Sequence, residues 1–115
     1  MMYVGIPYKK GGRTAEGCDC FGLFLLYYKN ELGVDFPDYT DAGISSLADS
    51  FRRVETPRLH DVLVFSFNGE RHVGVAQSST RFLHNISRAD SVISRIADYS
   101  EYITGVYRYA HINNK

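Results

Sequence analysis

The chain has 115 residues, room for one ordinary domain and not for two, and its 44% hydrophobic content excludes wholesale disorder. Thirteen basic residues cancel thirteen acidic ones. The densest basic cluster is Lys9, Lys10 and Arg13, so the continuous basic stripe of a nucleic-acid binder is missing. Met1 to Lys10 lacks the charged leader and apolar run of a secretion signal, and the longest apolar stretch, Phe21 to Tyr28, is far below membrane-spanning length. Together these features predict a protein made in the cytoplasm without a signal peptide and without membrane insertion.

In chain order, residues 1–17 read as an irregular opening segment punctuated by Pro7, Gly11-Gly12 and Gly17. Apolar residues at helical spacing (Cys20, Leu23, Phe24, Tyr27, Tyr28) predict a helix from Cys20 to Leu32. Asp19 suits its N-cap and Gly33 its C-terminal stop. Gly22, in the first turn, lowers helix propensity and therefore marks a close backbone approach. Pro37 lies in a loop, and a second, shorter helix is expected from Ser46 to Arg53, with Leu47, Phe51 and Val54 on one side and Ser46 and Asp49 as a capping box.

From Asp61 the period changes. Val62-Leu63-Val64-Phe65 reads as a buried strand, Phe67-Asn68-Gly69-Glu70 as a hairpin turn, and His72 to Gln77 as the returning strand. Arg81 to Asn85, Ser91 to Ile96 and Ile103 to Tyr109 complete five strands. Helices first and a strand meander after is the order of an α+β domain.

Two cysteines occur, Cys18 and Cys20, too close for an unstrained disulfide. Cys20 stands at a predicted helix start, where unpaired amides and the helix dipole favour a thiolate and can receive an oxyanion. A free cysteine also serves as a small buried hydrophobe, and position alone leaves both readings open. A nucleophilic thiol needs a base and a group that orients the base. His72 and His84 fall on adjacent predicted strands and meet that need, whereas His60 lies in a loop and His111 in the tail. The rival chemistry is a zinc site built from Cys18, Cys20, His72 and His84, which Cys-x-Cys spacing disfavours.

Gly5-Ile6-Pro7-Tyr8, Gly11-Gly12 and Gly17-Cys18-Asp19-Cys20-Phe21-Gly22-Leu23, followed by Asp61-Val62-Leu63-Val64-Phe65, His72-Val73-Gly74-Val75 and Phe82-Leu83-His84, form an ordered set of blocks. This set resembles the NlpC-type cell-wall peptidases across nearly the whole chain. The resemblance implies a papain-like α+β fold over residues 1–115, with an N-terminal helix on an antiparallel sheet of about five strands. It gives Cys20 the role of nucleophile, His72 that of base and His84 that of orienting residue. Tyr8 is placed on the oxyanion side, with Asp19 and Phe21 lining the substrate. The implied reaction is hydrolysis of amide bonds in peptidoglycan stem peptides, with no cofactor or metal. Phe21 replaces the family's usual serine and Lys10 a common tryptophan. These departures, with Gly12-Arg13 and the segment from Leu32-Gly33 to Pro37-Asp38-Tyr39, look closer to a branch found with bacteriophage tails. That branch implies tail proteins as partners and a place in the virion tail. The other reading of the departures is a structural or binding module that keeps the fold without turnover.

Overall fold

The computed structural model describes residues 2–38, 43–86 and 89–111; in the 3₁₀ helix Gly43–Ser50 side chains are described from Leu47 onward. A short antiparallel pair, β1 (Arg13–Thr14) and β2 (Gly17–Cys18), leads into helix α1 (Cys20–Leu32). The 3₁₀ helix then delivers the chain to β3 (Phe51–Val54). There follow β4 (Val62–Phe67), β5 (Glu70–Ala76), β6 (Arg81–His84), β7 (Val92–Arg95), a 3₁₀ helix (Ile96–Tyr102) and β8 (Ile103–Tyr109). The main sheet is antiparallel with strand order β3-β8-β4-β5-β6-β7. This is an α+β arrangement, as the element order predicts, and it matches the papain-like fold that the resemblance implies.

The ends of α1 follow from two residues. Asp19 accepts a hydrogen bond from the Gly22 amide (2.8 Å), satisfying one of the free donors of the first turn. Gly33 adopts φ 67° and returns its N–H to the Tyr28 carbonyl, a conformation open to glycine at little cost. A Cβ on Gly22 would overlap the Gly12 carbonyl oxygen, so here the helix and the opening segment touch main chain to main chain.

The sheet is covered on both faces, which explains why β4 reads as an unbroken apolar run rather than an alternation. Val62 and Val64 join Leu23, Phe24 and Tyr28 of α1 in one core, with Val73 and Val75 of β5 and Leu83 of β6. Leu63 and Phe65 face the other way and pack with Ala76, Phe82, Val106 and Tyr99. The β4–β5 turn has Asn68 at φ 50° and Gly69 at φ 85°, the left-handed pair of a type I′ hairpin. Asp61, wholly buried before β4, accepts from Arg108 Nε (2.9 Å) and Nη2 (2.7 Å) and from the Arg58 amide (2.8 Å).

Three expectations need correction. The second helix does not run from Ser46 to Arg53: it is a 3₁₀ helix that ends at Ser50, and Phe51 onward is a strand. The cause is tertiary, because Phe51–Val54 pairs with Tyr109–Val106 of β8 and Phe51 packs among Phe24, Phe36 and Tyr109. The main sheet therefore has six strands rather than five. The strand expected from His72 to Gln77 spans Glu70 to Ala76, which puts His72 in its third position. The Ser46 side chain of the expected capping box lies outside the described residues.

Candidate active site

Cys20 occupies the first turn of α1, half-buried, and shares a cavity of about 260 Å³ with Tyr8, Phe67, Glu70, Arg71, His72 and Asn85. The local construction follows from the sheet. The Ala76 amide donates to the Asp61 carbonyl of the β4 side (2.7 Å). By strand alternation, the amides of Val75 and Val73 point toward β6. The β5–β6 ladder covers only Val75↔Leu83 and Ala76↔Phe82. Beyond it the strands part, and the Val73 backbone lies near enough to the Cys20 sulfur to favour its thiolate form. Asn85, the next residue in register after β6, donates through its side-chain Nδ2 to the Cys18 carbonyl (2.7 Å).

His72 and His84 meet diagonally across β5 and β6, with His72 Nε2 3.0 Å from His84 Nδ1. That contact leaves Nδ1 as the His72 nitrogen available to a reacting group. His84 Nε2 lies 2.8 Å from Ser94 Oγ on β7. Both rings are buried among aromatic side chains: His72 against Phe65 and Phe67, His84 against Phe82 and Tyr99.

Burial decides the resting charge. It pushes His72 down to about 3, with His84 adding to the effect, and pushes His84 down to about 4. Both rings are neutral near pH 7. Burial also raises the Cys20 thiol above its ordinary value, and the Asp19 carboxylate acts in the same direction. The backbones of Val73, Phe21 and Cys20 itself pull it down without prevailing. The expectation that the helix start alone favours a thiolate is thus corrected: in the ligand-free protein desolvation wins, and the pair rests as thiol and imidazole. Burial, then Asp19, Cys20 and Glu70, hold the Tyr8 hydroxyl above its usual value, which keeps it a donor facing the cavity.

Of the expected lining residues, Tyr8 is on the cavity wall and two are elsewhere. Asp19 is committed to Gly22 N, to Gly11 N (2.9 Å) and to Arg13 Nη1 (2.8 Å). Phe21 is buried in the α1 core against Phe24, with the Arg13 guanidinium 5.5 Å from its ring centre. The zinc set does not converge. Cys18 is wholly buried beside Asn85, both ring nitrogens of His84 are engaged by His72 and Ser94, and among the described residues no three metal-ligating side chains cluster. Also among the described residues, no helix is long and apolar enough to cross a membrane.

Sequence reasoning missed Arg13, Asn85 and Ser94. Arg13 bridges Asp19 and Asp38 (Nε–Oδ2 2.7 Å) and so holds the helix start to the loop after α1. The signal for Ser94 lies only in the β6–β7 register, Phe82↔Ser94 and His84↔Val92, which puts Ser94 on the face of His84.

Known proteins resemble this chain in sequence and in fold. Probable peptidoglycan endopeptidase LytE of Bacillus subtilis is 33% identical over 86 residues, covering 70% of this chain and 23% of that protein. Murein DD-endopeptidase MepS/Murein LD-carboxypeptidase of Escherichia coli K12 is 27% identical over 93 residues, covering 80% of this chain and 48% of that protein. The chain thus spans less than half the length of these curated relatives. Among solved structures, the NlpC/p60 domain of peptidoglycan hydrolase SagA superposes with a TM-score of 0.72 at 21% identity, over 92% of this chain and 89% of that one. An NlpC/P60 family protein from Bacillus cereus gives 0.75 at 22% identity, over 93% and 36%. At such identities these two neighbours speak for the fold. The sequence profile of the NlpC/P60 family matches residues 5–110, and the chain belongs to that family.

Proposed function

We propose that residues 1–115 form one catalytic domain, a cysteine peptidase that hydrolyses amide bonds in peptidoglycan stem peptides. The observation that carries this reading is the shared cavity of Cys20 and His72, with the far nitrogen of His72 held by His84. The printed names of the relatives, peptidoglycan and murein endopeptidases, support the substrate class.

The neutral resting pair sets the order of events. As an amide carbonyl docks against the thiol, His72 Nδ1 takes the Sγ proton while sulfur adds to the carbonyl carbon. The oxyanion meets a backbone amide at the start of α1 and the Tyr8 hydroxyl. His72, now imidazolium, donates Nε2–H to His84 and gives its Nδ1 proton to the leaving amine as the C–N bond breaks. Water, deprotonated by the same imidazole, then cleaves the thioester and restores the thiol. The orienting role of His84 is that of the third member in such triads.

Mass spectrometry of muropeptides from purified sacculi tests both activity and bond choice. New amide-cleaved fragments are expected with the wild type and none with Cys20→Ala; a wild type that releases nothing overturns the reading. The neutral thiol favours one rival, a module that binds stem peptides without turnover. Iodoacetamide that labels Cys20 no faster than a free thiol, even with stem peptide bound, would support it. A setting in the bacteriophage tail rests on Phe21, Lys10 and the Gly12-Arg13 and Leu32 to Tyr39 segments alone, and detection of the chain in purified virions would establish it.

A further inference from the structure

The pair His72–His84 does not end at His84. Its Nε2 meets Ser94 Oγ at 2.8 Å, across two paired strands. Ser94 is half-buried on β7, an edge strand of the sheet, so its hydroxyl proton can reach solvent. The His84 ring is wholly buried, which restrains it. Phe82 lies 4.3 Å from it, ring centre to ring centre, and Tyr99 meets it edge-on at 5.2 Å.

A neutral imidazole has one donor nitrogen and one acceptor nitrogen. A line of two imidazoles and a hydroxyl therefore has two proton orders. In the first, His72 Nε2–H donates to His84 Nδ1, His84 Nε2–H donates to Ser94 Oγ, and His72 Nδ1 keeps a lone pair. In the second, Ser94 O–H donates to His84 Nε2, His84 Nδ1–H donates to His72 Nε2, and His72 Nδ1 already carries a proton. Only the first lets His72 accept the thiol proton. Only the first survives when His72 becomes imidazolium, since its Nε2–H then needs an acceptor.

We propose that Ser94 is a positioning residue at the end of a Cys20–His72–His84–Ser94 line, accepting a hydrogen bond from His84 Nε2–H and thereby selecting the proton order in which His72 can act as base. The catalytic part of this statement rests on Cys20 and His72 being nucleophile and base; the proton order is a property of the resting protein and is measured without substrate.

The experiment is ¹⁵N NMR of the histidine rings in the whole chain, in the wild type, Ser94→Ala and Ser94→Thr, joined to muropeptide turnover. The wild type and Ser94→Thr should show His84 protonated at Nε2 and His72 unprotonated at Nδ1. Ser94→Ala should show mixed forms, with kcat reduced about five- to tenfold, the scale of one hydrogen bond, and KM within about twofold. A wild-type His84 protonated at Nδ1 overturns the proposal, even if Ser94→Ala fails to fold. So does a folded Ser94→Ala with wild-type ring signals. Expected ring signals in a wild type that cuts no muropeptide would leave the proton order standing and defeat the peptidase reading instead.

Discussion

The buried histidine pair makes acid sensitivity a quantitative consequence of the active-site geometry. His72 and His84 titrate near 3 and near 4 in the folded chain, against an ordinary value of 6.5. Both folded values are depressed. The stabilisation is therefore complete above about pH 7 and is lost as pH falls from 6.5 toward 4 and 3, because there the unfolded chain takes up protons that the native state refuses. At pH 5, roughly 1.5 units below the unfolded value, each ring costs about 2 kcal/mol, and the pair costs about 4 kcal/mol. A domain of this size has roughly 5–15 kcal/mol in total, so the effect is large. The perturbation is the double variant His72→Gln/His84→Gln, which keeps polar groups and removes titration. Urea unfolding at pH 7.5 and pH 5.0 gives the stability loss of each protein. Carboxylates and the half-buried His60 contribute equally to both and cancel. The wild type should lose about 4 kcal/mol more than the variant. Equal losses would refute the reasoning, since they would mean that the rings titrate alike in folded and unfolded chains.

Other predictions concern packing and reactivity. Gly22→Ala should destabilise by more than about 2 kcal/mol despite alanine's better helix propensity, since its Cβ would overlap the Gly12 carbonyl; an unchanged melting temperature would count against this. Iodoacetamide should modify Cys20 in the folded protein and Cys18 only after unfolding, because Cys18 has no exposed surface; peptide mapping before and after denaturant reads this directly. Cys18→Ser should retain activity that Cys20→Ala loses. Arg108→Met should cost about 3–5 kcal/mol in denaturant titration by leaving the Asp61 charge buried and unpaired, and a loss below about 1 kcal/mol would show that the charge is relieved otherwise.

Much of this was legible in the sequence because the signals are local. Asp19 and Gly33 bound α1, Asn68-Gly69 fixes the hairpin, and Cys20, His72 and His84 stand out by residue type and by ordered motifs. What the sequence hid depends on distant partners. Phe51–Val54 has an amphipathic pattern compatible with a helix, and only β8, some fifty residues later, makes it a strand. Asp19 is legible as an N-cap beside Cys20, but nothing local reveals that Arg13 and Gly11 also hold its carboxylate. Phe21 next to Cys20 points into the core because successive helical residues point in different directions. The neutral resting pair was illegible for the same reason. A helix start argues for a thiolate, but the burial that outweighs it belongs to the assembled fold.

The short β5–β6 ladder has a further consequence. Where β6 departs, the Val73 backbone lies near the Cys20 sulfur, and Asn85 ties the Cys18 carbonyl, two residues before that sulfur, to the chain leaving β6. The helix start thus sits against the open end of the ladder. A chain with a formed sheet and a detached helix start would leave the buried Asn85 amide without its partner, a costly state. Folding of the sheet and assembly of the site are consequently coupled, and slow amide exchange in β5 and protection of the Cys18 thiol should appear and vanish together.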